Sequence, residues 1–158
     1  MKKFIESSVI KKKKGKRKKR RRMLEEASDI AKRAFDGIGK AYEDAFGVNS
    51  TEQVTATQFI ISNVSRGGRV VDLGCGTGCP SLQLLTNPLH GLNVIGVDVS
   101  PVMTTLAKKN APSAEIVTQP MYDFIGQAPP DSWDAAAAFF KLIIPKCNLP
   151  VPSDRNTI

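Results

Sequence analysis

Arg69-Val-Val-Asp-Leu-Gly-Cys-Gly-Thr-Gly-Cys-Pro80 is the stretch that decides how this chain is read. An apolar pair, Val70-Val71, carries an acid, Asp72; three glycines then alternate at Gly74, Gly76 and Gly78, with Pro80 behind them. The pattern is that of a buried parallel strand running into a loop of minimal side chains and then a helix start. Glycine tolerates φ > 0 and lets backbone approach a ligand closely. Unpaired N–H groups at a helix start favour a negatively charged ligand group, and Pro80 is expected at the first helical position.

Working outward, Leu82, Leu84 and Leu85 give that helix a stripe, Asn87-Pro88 ends it and His90-Gly91 turns the chain. His90, the sole histidine, reads as a loop residue. Leu92–Asp98 is a second strand ending in an acid, and Ser100-Pro101 is an N-cap followed by proline at the first helical position. The helix it opens closes at Lys108-Lys109-Asn110, with cations at its negative end. Ala114–Thr118 is a third strand and Trp133–Phe140 a fourth. Upstream, Leu24, Ala27, Ile30, Ala31, Ala34, Phe35, Ile38, Tyr42 and Phe46 recur at helical steps, with Gly37 and Gly39 as interruptions and Gly47 as a stop. Ser50-Thr-Glu-Gln53 matches a capping box for a second helix, with Val54, Phe59, Ile60 and Val64 as its buried stripe, and Ser65–Gly68 is a turn. Strand, helix, strand, helix, strand is the alternation of an α/β fold, a doubly wound parallel sheet.

A chain of 158 residues with 41% hydrophobic content supports one modest domain. No apolar run approaches the roughly 18 residues that span a bilayer, and no apolar segment of secretory type follows the basic N-terminus, so no membrane contact is expected. Three cysteines, Cys75, Cys79 and Cys147, fit a reduced, cytoplasmic protein. The net charge of +8 divides unevenly. Residues 1–22 hold 13 bases and one acid, net +12, while the other ten bases face fourteen acids, net −4. Lys11–Arg22 is a like-charge block, expected to be a disordered arm over residues 1–22. It reads as a nuclear address for an import receptor, as a nucleic-acid-binding arm, or as a solvated tail; no aromatic interrupts it to stack on bases.

The spacing of the glycines discriminates among nucleotide loops. A dinucleotide fingerprint wants its third glycine three residues after the second, where Cys79 stands, and a P-loop wants Gly-Lys-Ser/Thr, which Gly78-Cys-Pro80 lacks. The loop is G-x-G-x-G, and twenty residues past Gly78 comes Asp98, placed to accept ribose hydroxyls; its bland reading is a solvated strand-end acid. Cys75-x3-Cys79 lacks further ligands, so no metal is expected.

Val70–Gly78 followed by Val94–Pro101 closely resembles the class I S-adenosylmethionine-dependent methyltransferases, over about residues 35–145. The resemblance implies a Rossmann-like sheet in the order 3-2-1-4 with N-terminal capping helices, S-adenosylmethionine as cofactor and a small-molecule methyl acceptor. It implies cofactor contacts at Asp72, Gly74, Cys75, Gly76, Thr77, Gly78, Asp98, Val99, Met121 and Tyr42, with Asp98 on the ribose. Phe35–Phe46 is similar to the helix that caps the cofactor in small-molecule members, which brings Tyr42 to the site; on sequence alone Tyr42 also reads as a core aromatic. Where the family often sets an aspartate near adenine this chain has Pro120, with Asp123 slightly further along. No general base is identified, so the catalytic residue stays open.

The expected divisions are the arm 1–22, helices 23–66, the cofactor-binding core 67–146 and a tail 147–158. The family sheet has seven strands and four are expected here, though both strands of the switch point are among them. An apolar fourth strand at an edge is expected to self-associate or take a partner. A partner chain completing the sheet, a truncated product and a shortened gene model each account for this; truncation, with cofactor binding and little turnover, is the favoured expectation. The competing reading is a non-catalytic nuclear or nucleic-acid-interacting protein that works through the arm.

Overall fold

The computed structural model describes residues 2–39, 41–42 and 51–139. Four parallel strands form one sheet: β1 (Arg69–Leu73), β2 (Asn93–Asp98), β3 (Glu115–Thr118) and β4 (Ala135–Ala137), in the order β3-β2-β1-β4. This is the order expected from the sequence. Val70–Leu73 pair with Val94–Val97, and Ile95–Asp98 with Glu115–Thr118. The fourth strand is shorter than expected: Ala135–Ala137 pair with Val70–Asp72, while Trp133 turns onto Phe124 with ring centroids 5.7 Å apart.

The two-residue period of β1 and β2 sorts their side chains onto two faces. Val70 and Val94 pack with Leu82, Leu85 and Ala107, beneath α2 (Thr51–Asn63), α3 (Ser81–Leu85) and α4 (Pro101–Asn110). Val71, Leu73 and Val97 pack on the other face against Met121 and Phe124 of α5 (Met121–Gln127), a helix the sequence reading did not set out. Gly96 alternates onto the first face, and a Cβ there would lie 2.7 Å from Leu82 Cδ1 and 3.0 Å from Cys75 Sγ. Its missing side chain is what lets α3 and the glycine loop settle onto β2.

Several local expectations are corrected. α4 forms as read: Met103 N–H donates to Ser100 Oγ at 3.1 Å, and Lys108 and Lys109 end the helix. Pro80, however, precedes α3 instead of opening it, and α3 has five residues. So short a helix carries little macrodipole, which removes the anion argument made for its start. On α2 the buried residue is Thr57, with Ile60, Ile61 and Val64 packed on the core, whereas Phe59 is 69% exposed. Phe59 lies roughly 200° around the helix from Thr57 and therefore faces away from the core.

The largest departure is at the N-terminus. Residues expected to form a disordered arm over 1–22 belong, from Lys2, to one continuous helix, α1 (Lys2–Ile38), with no break at Met23. Lysine and arginine are good helix formers. Arg21–Glu25 and Arg22–Glu26 ion pairs at 2.9 Å carry the helix across the expected boundary, although such exposed i,i+4 pairs add only about 0.3–0.5 kcal/mol each. Gly39, at φ +49°, ends the helix with its N–H on the Phe35 carbonyl, consistent with the expected glycine interruption. Leu24, Ser28, Ala31, Phe35 and Asp36 are partly covered, while Ala27, Ile30 and Ala34 of the expected stripe are exposed. Phe46, Gly47, Ser50 and the tail 147–158 lie outside the described residues. Among the described residues no helix is long and apolar enough to cross a membrane.

Candidate functional site

At the carboxyl end of the sheet the glycine loop folds over β2. Gly74 and Cys75 N–H groups both donate to the Val97 carbonyl, at 2.7 and 3.0 Å, and Gly78 N–H closes a turn on the Cys75 carbonyl at 2.9 Å. Gly74, Gly76 and Gly78 have φ of +74°, +55° and +82°, the left-handed region that side chains disfavour. Thr77 is buried, and its carbonyl accepts from Asn110 Nδ2 at 2.9 Å, which ties the loop to the far end of α4.

Asp72 and Asp98 emerge on the same face of neighbouring strands. Asp98 Oδ2 accepts from Gly76 N–H at 3.0 Å and its Oδ1 from Ser100 N–H at 2.9 Å. It is thus built into the loop and is not a solvated strand-end acid. Burial raises its pKa, opposed by the hydrogen bonds from Ser100, Gly76 and Val99. A carboxylate offers about four lone-pair positions, so these three amide donors leave capacity for a ligand hydroxyl. Asp72 is pushed up to about 7, first by burial and then by the Asp98 charge. Burial also raises the Cys75 thiol, with Asp72 and Asp98 adding to it, so Cys75 is a packed thiol and not a nucleophile.

The other residues expected at the site fall around this centre. Tyr42 lies over the loop: a Cβ added to Gly76 would sit 4.0 Å from its ring, and it meets Phe35 edge-on at 5.8 Å. Its phenol pKa is raised by burial and by the Asp98 charge. Val99 follows Asp98 and is half-buried; Met121 opens α5, packed against the Val71–Leu73–Val97 cluster. Gln119 N–H on the Asp98 carbonyl, at 3.0 Å, joins the ends of β2 and β3 and so brings Met121 toward the same edge. Asp123, the substitute suggested for an adenine contact, is exposed on the first turn of α5.

The sequence reading missed two polar attachments. Ser100 Oγ donates to Asp36 Oδ1 of α1 at 2.5 Å, and Asp36 Oδ2 accepts from Lys32 Nζ at 2.9 Å. Gln53 Nε2 donates to Ser81 Oγ at 2.8 Å, and Thr57 Oγ1 lies 3.3 Å from the same oxygen. The cap at Ser100 was legible, but its partner 64 residues away leaves no local signal. A separate open cavity of about 670 Å³ lies toward the start of the strands, between Arg69, Asn93, Glu115, Phe124, Gln127 and Trp133. Ligands of open α/β sheets sit at the carboxyl ends of the strands, so the site is assigned to the loop and not to this cavity.

A family model described as Methyltransferase domain matches residues 70–150, just over half of the chain. None of the curated proteins matches. Among solved structures, the chain is similar to a Haemonchus contortus phosphoethanolamine N-methyltransferase 2 in complex with phosphomonomethylethanolamine and S-adenosylhomocysteine, at 24% identity and TM-score 0.51 over 65% of this chain and 25% of that one. It is also similar to a Thiobacillus denitrificans S-adenosylmethionine-dependent methyltransferase in complex with S-adenosylhomocysteine, at 24% identity and TM-score 0.43 over 57% of this chain and 36% of that one. A TehB-like S-adenosylmethionine-dependent methyltransferase from Corynebacterium glutamicum gives 20% identity and TM-score 0.45 over 72% and 54%. The chain therefore spans about a quarter to a half of the length of these structures. At such identities structural likeness speaks for the fold alone, and membership rests on the family model: the chain belongs to the class I S-adenosylmethionine-dependent methyltransferases.

Proposed function

We propose that this chain binds S-adenosylmethionine at the carboxyl ends of β1 and β2 and acts as a methyltransferase domain toward a small-molecule acceptor. The observation that carries the reading is Asp98, fixed between the N–H groups of Gly76 and Ser100 with acceptor capacity to spare. In this reading Asp98 takes the ribose hydroxyls and the backbone of Gly74, Cys75, Gly76, Thr77 and Gly78 lies along the cofactor. Asp72 stands beneath the loop, Val99 and Met121 flank the base, and Tyr42 covers the site from the N-terminal side. The fit rests on the left-handed glycines, which leave the loop open to close approach, and on the covering ring of Tyr42. When bound, the cofactor supplies a methyl group already activated on a sulfonium; the protein's task is to orient it and exclude water.

Isothermal titration with S-adenosylhomocysteine and S-adenosylmethionine tests the cofactor. Binding is expected, and Asp98→Ala is expected to weaken it at least about tenfold, as for loss of a hydrogen bond to a charged group. No binding by the wild type at millimolar ligand would sink the reading; equal binding by Asp98→Ala would remove the ribose role. For the acceptor, label from methyl-tritiated cofactor incubated with cell extract should pass an ultrafilter with the small molecules. Label retained with macromolecules overturns the small-molecule assignment.

A further inference from the structure

The hydrogen bonds behind Asp98 lead in one direction and finish on a different element. Gly76 and Ser100 N–H groups occupy its two oxygens. Ser100 Oγ accepts from Met103 N–H at 3.1 Å and donates its single proton to Asp36 Oδ1 at 2.5 Å, a separation typical of charge-assisted bonds. Lys32 Nζ holds the second oxygen of Asp36 at 2.9 Å. Ser100 is completely buried, and Asp36 is the acceptor of its proton. The Ser100 hydroxyl, and after it Lys32, hold the Asp36 carboxyl below the usual carboxylate range, which keeps the acceptor anionic at neutral pH.

We infer that Asp36 is a positioning residue for the cofactor site: by accepting the Ser100 proton it fixes the β2–α4 turn that aims Asp98, and so makes docking of α1 a condition for a formed site. Without Asp36 the buried hydroxyl must find another acceptor. The nearest change open to it is a rotation that disturbs the Met103 cap and, with it, the Ser100 N–H on Asp98. A second attachment of α1, the Ser28 hydroxyl donating to the Tyr122 oxygen at 3.3 Å, lies away from this turn and supplies the control.

This inference rests on the proposed cofactor site, but one of its two readouts does not. In backbone amide NMR spectra of the full chain without ligand, Asp36→Ala is expected to move the Ser100 and Gly76 amides and Ser28→Ala to leave them in place. In titrations with S-adenosylhomocysteine, Asp36→Ala is expected to weaken binding about three- to tenfold, the range of one net hydrogen bond, with Ser28→Ala within about twofold of wild type. Ser100→Thr, which keeps a hydroxyl, should retain most of the affinity, and adding Asp36→Ala to Ser100→Ala should cost nothing further. Unmoved Ser100 and Gly76 amides in Asp36→Ala overturn the inference, as does an equal loss of affinity in Ser28→Ala. If Asp36→Ala fails to fold by circular dichroism, Asp36→Leu, which fills the space but supplies no acceptor, is read instead: the same two amides must move, and unmoved amides overturn it. If the wild type binds no cofactor, the functional reading fails while the amides still decide this one.

Discussion

Asp72 shows what burial does to an acid that has a charged neighbour. Its pKa is raised to about 7 by burial and by the Asp98 carboxylate, against about 3.9 for an unfolded aspartate. Between roughly pH 4 and 7 the folded state therefore keeps a proton that the unfolded chain has released. The stability this group contributes is complete below about pH 4 and is lost as pH rises through about 7. Asp72→Asn cannot ionise and is free of that loss. Thermal unfolding followed from pH 4 to 8 should show the variant gaining on the wild type by several degrees, most of it by pH 7. Curves that stay parallel across that window would overturn the assignment. Asp98 is also raised by burial, but its amide donors favour the charged form, which is the state suited to accepting ribose hydroxyls.

At the scale of the element, α2 shows why hydrophobicity alone misplaced a buried face. Reading Phe59 as core follows from its size, yet the face turned to the sheet is centred on Thr57, whose hydroxyl donates to the Gln53 carbonyl at 2.7 Å and lies beside Ser81. Thr57→Val is accordingly expected to cost about 1–2 kcal/mol, while Phe59→Ser should stay within about 0.5 kcal/mol of wild type in urea unfolding. The reverse order of the two would restore the sequence-based face. What the sequence showed clearly had short range and strong chemistry: the alternating glycines, the acid closing β2, and the Ser100-Pro101 start of α4. Less legible features depended on distant partners or on competing local terms. The charged block looked incapable of order because burial was the criterion, whereas helix propensity and the Arg–Glu pairs continue α1 through it. α5 was missed because Met121–Gln127 is short, contains Gly126 and lacks a side-chain cap. β4 was drawn too long because an alanine run has no edge of its own; pairing with β1 sets its limits.

The whole molecule joins two bodies of opposite charge, net +12 over residues 1–22 and net −4 beyond. Lys16–Arg22 are exposed, whereas Ser28 and Asp36, further along α1, hydrogen-bond to the rest of the fold. The basic segment dominates the charge of the protein. Deleting residues 1–22 changes the net charge from +8 to −4. The shortened chain should leave a cation exchanger and be retained on an anion exchanger at pH 7.5. It should also melt within about 3 °C of the full chain, as expected for surface changes of about 0.5 kcal/mol, and bind S-adenosylhomocysteine within about twofold. The same pair of proteins separates the methyltransferase reading from the nucleic-acid one. Binding of duplex DNA through the arm would be steeply salt-dependent and would vanish on deletion, because each neutralised phosphate releases counterions. If the deletion abolishes cofactor binding or lowers the melting temperature by much more than about 3 °C, the basic half of α1 is part of the folded unit, and the division at residue 22 is wrong.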